Sequence, residues 1–224
     1  MATSNSLDGR FAQGPDRRPR ARSDLLTAES AAAEELEAGL EDLIAIEVEE
    51  LPAPVAPKLA PLLRRQLRRR VRDDAGLSPS GLAAELDSWI EARMDALLGA
   101  MARGTAESIA ADAEGLERVY RERIARAARN SDAGREILGL LEGLEPRAPR
   151  PSGSLPAIPP IGRLRRRVPG PPGRRLVRRA AERRLLKGLE AGAASVRAEL
   201  ATRTRETGAA YRRQVRALLE ETVG

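Results

Sequence analysis

The chain contains no histidine and no cysteine. Imidazole acid–base catalysis, thiolate nucleophiles and nearly all zinc sites are thereby excluded. Lysine is almost as scarce. Lys58 and Lys187 are followed by Leu59 and Gly188, so the phosphate-cradling pattern G-x-x-x-x-G-K-[ST] cannot be written. The aromatics are Phe11, Trp89, Tyr120 and Tyr211, too few to fill a wide globular core. No run of about 18 apolar residues occurs, so no membrane-spanning segment is expected, and the first residues lack the apolar stretch of a secretory signal. These absences lead us to expect a cytoplasmic, noncatalytic protein with no cofactor and no metal.

What is present is charge and helix-forming residues. Of 224 residues 32% are charged, and Ala, Leu, Glu and Arg outnumber β-branched types. Such a composition predicts long helices packed along narrow seams, hence an all-α fold. Residues 1–22, rich in Gly, Pro, Ser and Arg without periodicity, read as a disordered arm. A helical region follows over 23–145. Within it, Asp24–Glu50 carries ten acidic and no basic residues, with Leu36, Leu40, Leu43, Ile44 and Val48 at helical spacing. Pro52, Pro54 and Pro57 break this acidic helix. Lys58–Arg72 then holds seven basic residues over a stripe of Leu59, Leu62, Leu63, Leu67 and Val71. Opposite charge predicts that this basic helix folds back on the acidic one, although each exposed ion pair adds only ~0.5 kcal/mol.

Ser78-Pro79 reads as an N-cap with proline at the first helical position. The stripe Leu82, Leu86, Trp89, Ile90, Leu97, Met101, Ile109, Leu116, Tyr120 and Ile124 then predicts one long helix to about Arg129. Asn130-Ser131-Asp132 ends it and starts a short helix to about Glu145. Residues 146–173, with nine prolines, form a Pro/Gly/Arg-rich linker or tip in which proline opposes helix. A second long helix spans 174–224. Two matched helices and a compact connection predict an elongated antiparallel hairpin or a small bundle of long helices.

Between Arg163 and Lys187 lie eleven basic residues against the single Glu182. Near an anionic bilayer each is worth ~1 kcal/mol. Ile158, Ile161, Leu164 and Val168 are placed to dip into the interface beside Arg163, Arg165, Arg166, Arg167, Arg174 and Arg175, because a proline-held loop exposes aliphatics. These ten residues are the candidate lipid or anion contacts. Nucleic acid is the alternative partner. Counterion release from the same arginines would drive it, but the segment offers no aromatic to stack on bases. Glu85, Asp87, Glu91 and Asp95 along one helix are expected to be a solvated face and not a metal site.

The stretch from Leu155 to the C-terminus, with its Leu-Pro opening, its basic run, "EAGAASVRAEL" and "RETGAAYRRQVRALLEE", resembles the C-terminal helical stalk of bacterial dynamin-like GTPases. The resemblance covers about residues 155–224. It implies a helical trunk that packs against a partner helix and a tip that faces lipid, and it marks Ile158–Val168 with Arg174 and Arg175 as the lipid contacts. No GTP hydrolysis is implied, since no P-loop can be written. The expectation is therefore a stalk-like scaffold, peripheral at the inner face of the membrane. It would bind anionic lipid through the Arg-rich tip and pair with its own copies or with a dynamin-like GTPase.

Overall fold

A computed structural model describes residues 17–49, 55–129, 134–144, 159–162 and 168–223. Its helices are α1 (Arg17–Leu43), extended by a π-helical segment Ile44–Glu49, then α2 (Val55–Asp73), α3 (Pro79–Ala128), α4 (Gly134–Glu142) and α5 (Gly170–Val223). No strand occurs among the described residues. The fold is all-α, as the composition predicts.

The starts of α1, α2 and α5 lie upstream of those the sequence predicts, for one shared reason. The first turn of a helix has N–H groups with no intrahelical acceptor, so proline there costs little. Thus α1 begins at Arg17 with Pro19 in its first turn, and α2 begins at Val55 ahead of Pro57. Likewise α5 begins at Gly170 and carries Pro171 and Pro172. Gly170 holds φ +68°, a left-handed conformation open to glycine, which turns the chain into α5. At α3 the expected cap is present: Ser78 Oγ accepts the Gly81 N–H at 3.1 Å.

The directions of the long helices correct the antiparallel hairpin. Asp87 meets Arg184, Leu98 lies against Gly192, and Tyr120 lies beside Tyr211, so both partners advance together. Helices α3 and α5, of 50 and 54 residues, therefore run parallel, each about 75–80 Å long at 1.5 Å per residue. Parallel neighbours need a connection that retraces the whole length. The 27 residues between α4 and α5 can reach ~90 Å when extended, which suffices.

Helix α1 supplies the opposing direction. Glu29 meets Tyr120 and Glu47 meets Ser108, while Glu37 and Glu41 meet Arg212 and Arg205. Helix α2 continues the same descent along α5, with Arg64 Nε 2.8 Å from Glu182. Among the described residues α2 packs on α5 and α3, not on α1. The basic helix thus does not fold back on the acidic one. The acidic helix finds its arginines on α3 and α5, and hydrophobic seams, not weak surface ion pairs, decide the arrangement.

The core is a continuous seam of small aliphatics: Leu36, Leu40 and Ile44 from α1, Leu63 and Leu67 from α2, Leu86, Ile90, Met94 and Ile109 from α3, and Leu185, Leu189, Leu200 and Val215 from α5. Tight approach depends on missing side chains. A Cβ at Gly192 would overlap Leu98 Cδ1 and stand 3.3 Å from both its Cγ and its Cδ2, and Leu98 is itself buried. Alanine at a helical glycine gains about 1 kcal/mol of propensity, but overpacking costs about 1–3 kcal/mol. We therefore expect Gly192→Ala to lose about 1 kcal/mol in urea unfolding; a stabilised variant would refute this close approach.

Candidate anion-binding surface

The Pro/Arg segment does not project as a free tip where it is described. Its anchor is Arg184, a charged residue on the buried face of α5, flanked at helical spacing by Val177, Ala181 and Gly188. Its guanidinium donates to Asp87 Oδ1 at 2.7 Å, to the Asp87 carbonyl at 3.1 Å, to Glu91 Oε1 at 2.7 Å and to the Pro159 carbonyl at 2.9 Å. Asp87 in turn accepts the Ile161 N–H at 3.1 Å. A carboxylate on one helix, a guanidinium on the next and two backbone groups of the intervening segment thus satisfy each other out of water.

This node corrects two expectations. Asp87 is buried and ion-paired, not part of a solvated face, because it falls beside Leu86 and Ile90 on the inner stripe of α3. Ile161 is buried at 3% exposure instead of meeting an interface, because its amide is tied to Asp87 and its side chain joins the core. One ionic residue on the inward face of each of two helices is the sequence signal for such a pair, and apolar spacing alone does not register it.

Arg174 also has a structural role. It donates to the Leu77 carbonyl, to that of Asp74 at 3.1 Å and to that of Val71 at 3.3 Å. These carbonyls close the C-terminal end of α2 and the following turn, where a cation is favoured by the helix dipole. Arg175 is exposed and Val168 half-buried. Ile158, Arg163, Leu164, Arg165, Arg166 and Arg167 lie outside the described residues.

The tie made by Arg174 helps assemble one end of the rod from four pieces: the end of α2, the turn 74–78, the first turn of α3 and the first turn of α5. Leu77 and Leu176 remain 38% and 39% exposed there, and Pro171, Pro172, Arg72 and Arg175 are exposed as well. Two parallel helix N-termini add partial positive charge to the same end. Along the adjoining flank, Arg65, Arg68, Arg69, Arg178, Arg179, Arg183 and Lys187 are exposed on α2 and α5. Sequence reasoning misses Leu77 and the α2 arginines as members of this surface. Their adjacency arises only from the antiparallel packing of α2 on α5.

Between α2 and α3 lies an open recess of about 310 Å³ lined by Gln66, Arg69, Arg70, Asp73, Trp89 and Arg93. The opposite half of the rod is electrostatically different. There Glu41 is held below the usual carboxylate range, first by its hydrogen bond from Arg205. Tyr120 donates to Glu29 Oε1 at 2.9 Å, and burial together with that bond pushes the Tyr120 phenol up. Glu117 is buried, and desolvation raises its carboxyl to about 7 against an opposing pull from Arg121. Burial raises Tyr211 to about 12.

No group of histidine, cysteine or carboxylate residues able to hold a metal ion occurs among the described residues. No helix among them is long and apolar enough to cross a membrane. The class these features define is an all-α rod with a cationic, aliphatic-bearing end. Comparison with family models, curated proteins and solved structures finds no match for the chain.

Proposed function

We propose that the protein is a noncatalytic helical scaffold that docks one end on an anionic membrane surface, at the inner face of the membrane. The observation that carries this reading is the coincidence of exposed Leu77 and Leu176 with Arg72 and Arg175 at one end of the rod. Aliphatic insertion and electrostatic attraction reinforce each other at a lipid interface, and neither alone anchors stably. The docking end is therefore built from the 74–78 turn and the start of α5. Pairing with a second copy or with a dynamin-like GTPase, which the stalk resemblance implies, belongs to the same proposal. Such pairing uses outer faces, since the inner seams of α3 and α5 are already filled by α1 and α2.

Co-sedimentation with phosphatidylglycerol vesicles tests this. Full burial of a leucine is worth about 1.5–3 kcal/mol, so Leu77→Ser with Leu176→Ser is expected to weaken vesicle binding at least about tenfold. Both positions are partly exposed, and helix content should not change. Unchanged vesicle affinity would remove the aliphatic end from the mechanism. Nucleic acid is the second reading, favoured by the run of exposed arginines along α2 and α5. Salt-sensitive retardation of duplex DNA without vesicle binding would put it in place of the first.

A further inference from the structure

The recess between α2 and α3 combines three guanidinium groups, one indole and one carboxylate in about 310 Å³. Helix α2 presents Gln66, Arg69, Arg70 and Asp73 at i, i+3, i+4 and i+7, one face turned toward α3, and α3 answers with Trp89 and Arg93 one turn apart. Arg70 is tethered: its Nε lies 3.1 Å from Asp74 Oδ2 and its Nη2 3.5 Å from Glu85 Oε2. Arg69 and Arg93 have no ion-pair or hydrogen-bond partner among the described residues, and the Arg93 Nε–H is shut off from solvent without an acceptor. A buried donor left unpaired is a standing cost, which an acceptor oxygen able to reach it would remove.

We propose that this recess binds a phosphoester, the phosphate between Arg69 and Arg93 and the organic portion against the Trp89 indole. Guanidinium forks match phosphate oxygens two at a time, which a lone chloride cannot exploit. The volume sits at the lower end of ligand sites, about 300–1,000 Å³, and exceeds what a bare phosphate fills. Phosphoesters come as lipid headgroups or as soluble compounds, and the chemistry of the recess serves either. Trp89 stands ten residues into α3, about 15 Å from the proposed docking end at 1.5 Å per residue. The site therefore does not depend on Leu77 and Leu176 and stands apart from the membrane reading.

Trp89 is the single tryptophan of the chain, so its emission reports this recess alone. The experiment titrates the full chain, at constant ionic strength, with glycerol 3-phosphate, with phosphatidylglycerol vesicles and with phosphatidylcholine vesicles. It is repeated on Arg93→Met and Arg69→Met, whose unchanged thermal melts verify folding. A saturable emission change with glycerol 3-phosphate that weakens at least tenfold in Arg93→Met supports a soluble phosphoester. A change confined to phosphatidylglycerol vesicles and lost in Arg93→Met supports a headgroup. No change, or a change that sodium chloride reproduces or that Arg93→Met leaves intact, overturns the site. Sedimentation with vesicles would persist in that last case if the membrane reading is correct, so the two fail separately.

Discussion

Replacing Arg184 by methionine is expected to destabilise the protein by about 3–5 kcal/mol, the range for stripping one partner from a buried ion pair. The side chains of Arg184 and Asp87 are only 4% and 11% exposed. Methionine keeps much of the aliphatic stem but strips the Asp87 carboxylate of its guanidinium, leaving it to face the Ile161 amide at 3.1 Å, and it frees the Pro159 carbonyl. Typical domains are stable by only about 5–15 kcal/mol, so one substitution consumes a large share of the whole. The double variant Arg184→Met, Asp87→Leu is expected to recover most of the loss, because two apolar groups leave no charge to desolvate. Urea unfolding of both variants checks this. Hydrogen exchange at the Ile161 amide supplies a local readout, with protection lost when Asp87 no longer accepts it. A single-variant cost below about 1 kcal/mol would show that the node is not what seats residues 159–161.

The second large effect depends on pH. Desolvation raises the Glu117 carboxyl from 4.5 to about 7, with Arg121 opposing and Glu114 adding to the rise. From α5, the Tyr211 ring faces the same region and its hydroxyl has no partner among the described residues. A carboxyl raised in the folded state binds its proton more tightly there than in the unfolded chain. Its contribution is therefore fully present below about pH 4.5 and is lost as pH rises through about 7. A tenfold difference in proton affinity corresponds to about 1.4 kcal/mol, and allowing for residual solvent access the loss between pH 5 and pH 8 amounts to ~2 kcal/mol. Glu117→Gln carries no titrating group, so it should nearly match the parent at about pH 5 and exceed it by ~2 kcal/mol at about pH 8. Parallel stability curves for the two proteins across that interval would rule out a buried neutral Glu117.

These two sites are legible in the sequence to different degrees. Asp87 and Arg184 each interrupt an apolar stripe, whereas Glu117 lies between Leu116 and Tyr120 near the predicted stripe of α3. One turn of helix separates a buried carboxyl from a solvated one, and spacing alone cannot resolve that. Spacing places Trp89, Leu97 and Leu116 inside; they are half-buried, and Met94 and Leu98 take the interior instead. The difference arises because α3 is packed by α1, α2, α4 and α5 on different sides along its length. Its buried face therefore rotates with its neighbours. The seven basic residues of Lys58–Arg72 mark a cationic helix correctly; which helix it lies beside depends on the apolar contacts of Leu63 and Leu67.

Local spacing and propensity, properties of neighbouring residues, are enough to establish helical class, the long spans of α3 and α5, the Ser78 cap and the charge reversal from α1 to α2. The parallel course of α3 and α5, the burial of Ile161 and the joining of Leu77 to Leu176 at one end are decided only by tertiary packing. Helix direction follows from the path of the connecting chain, and whether a charge or an aliphatic is hidden follows from what another segment places against it. Neither quantity is contained in the spacing of residues along one helix.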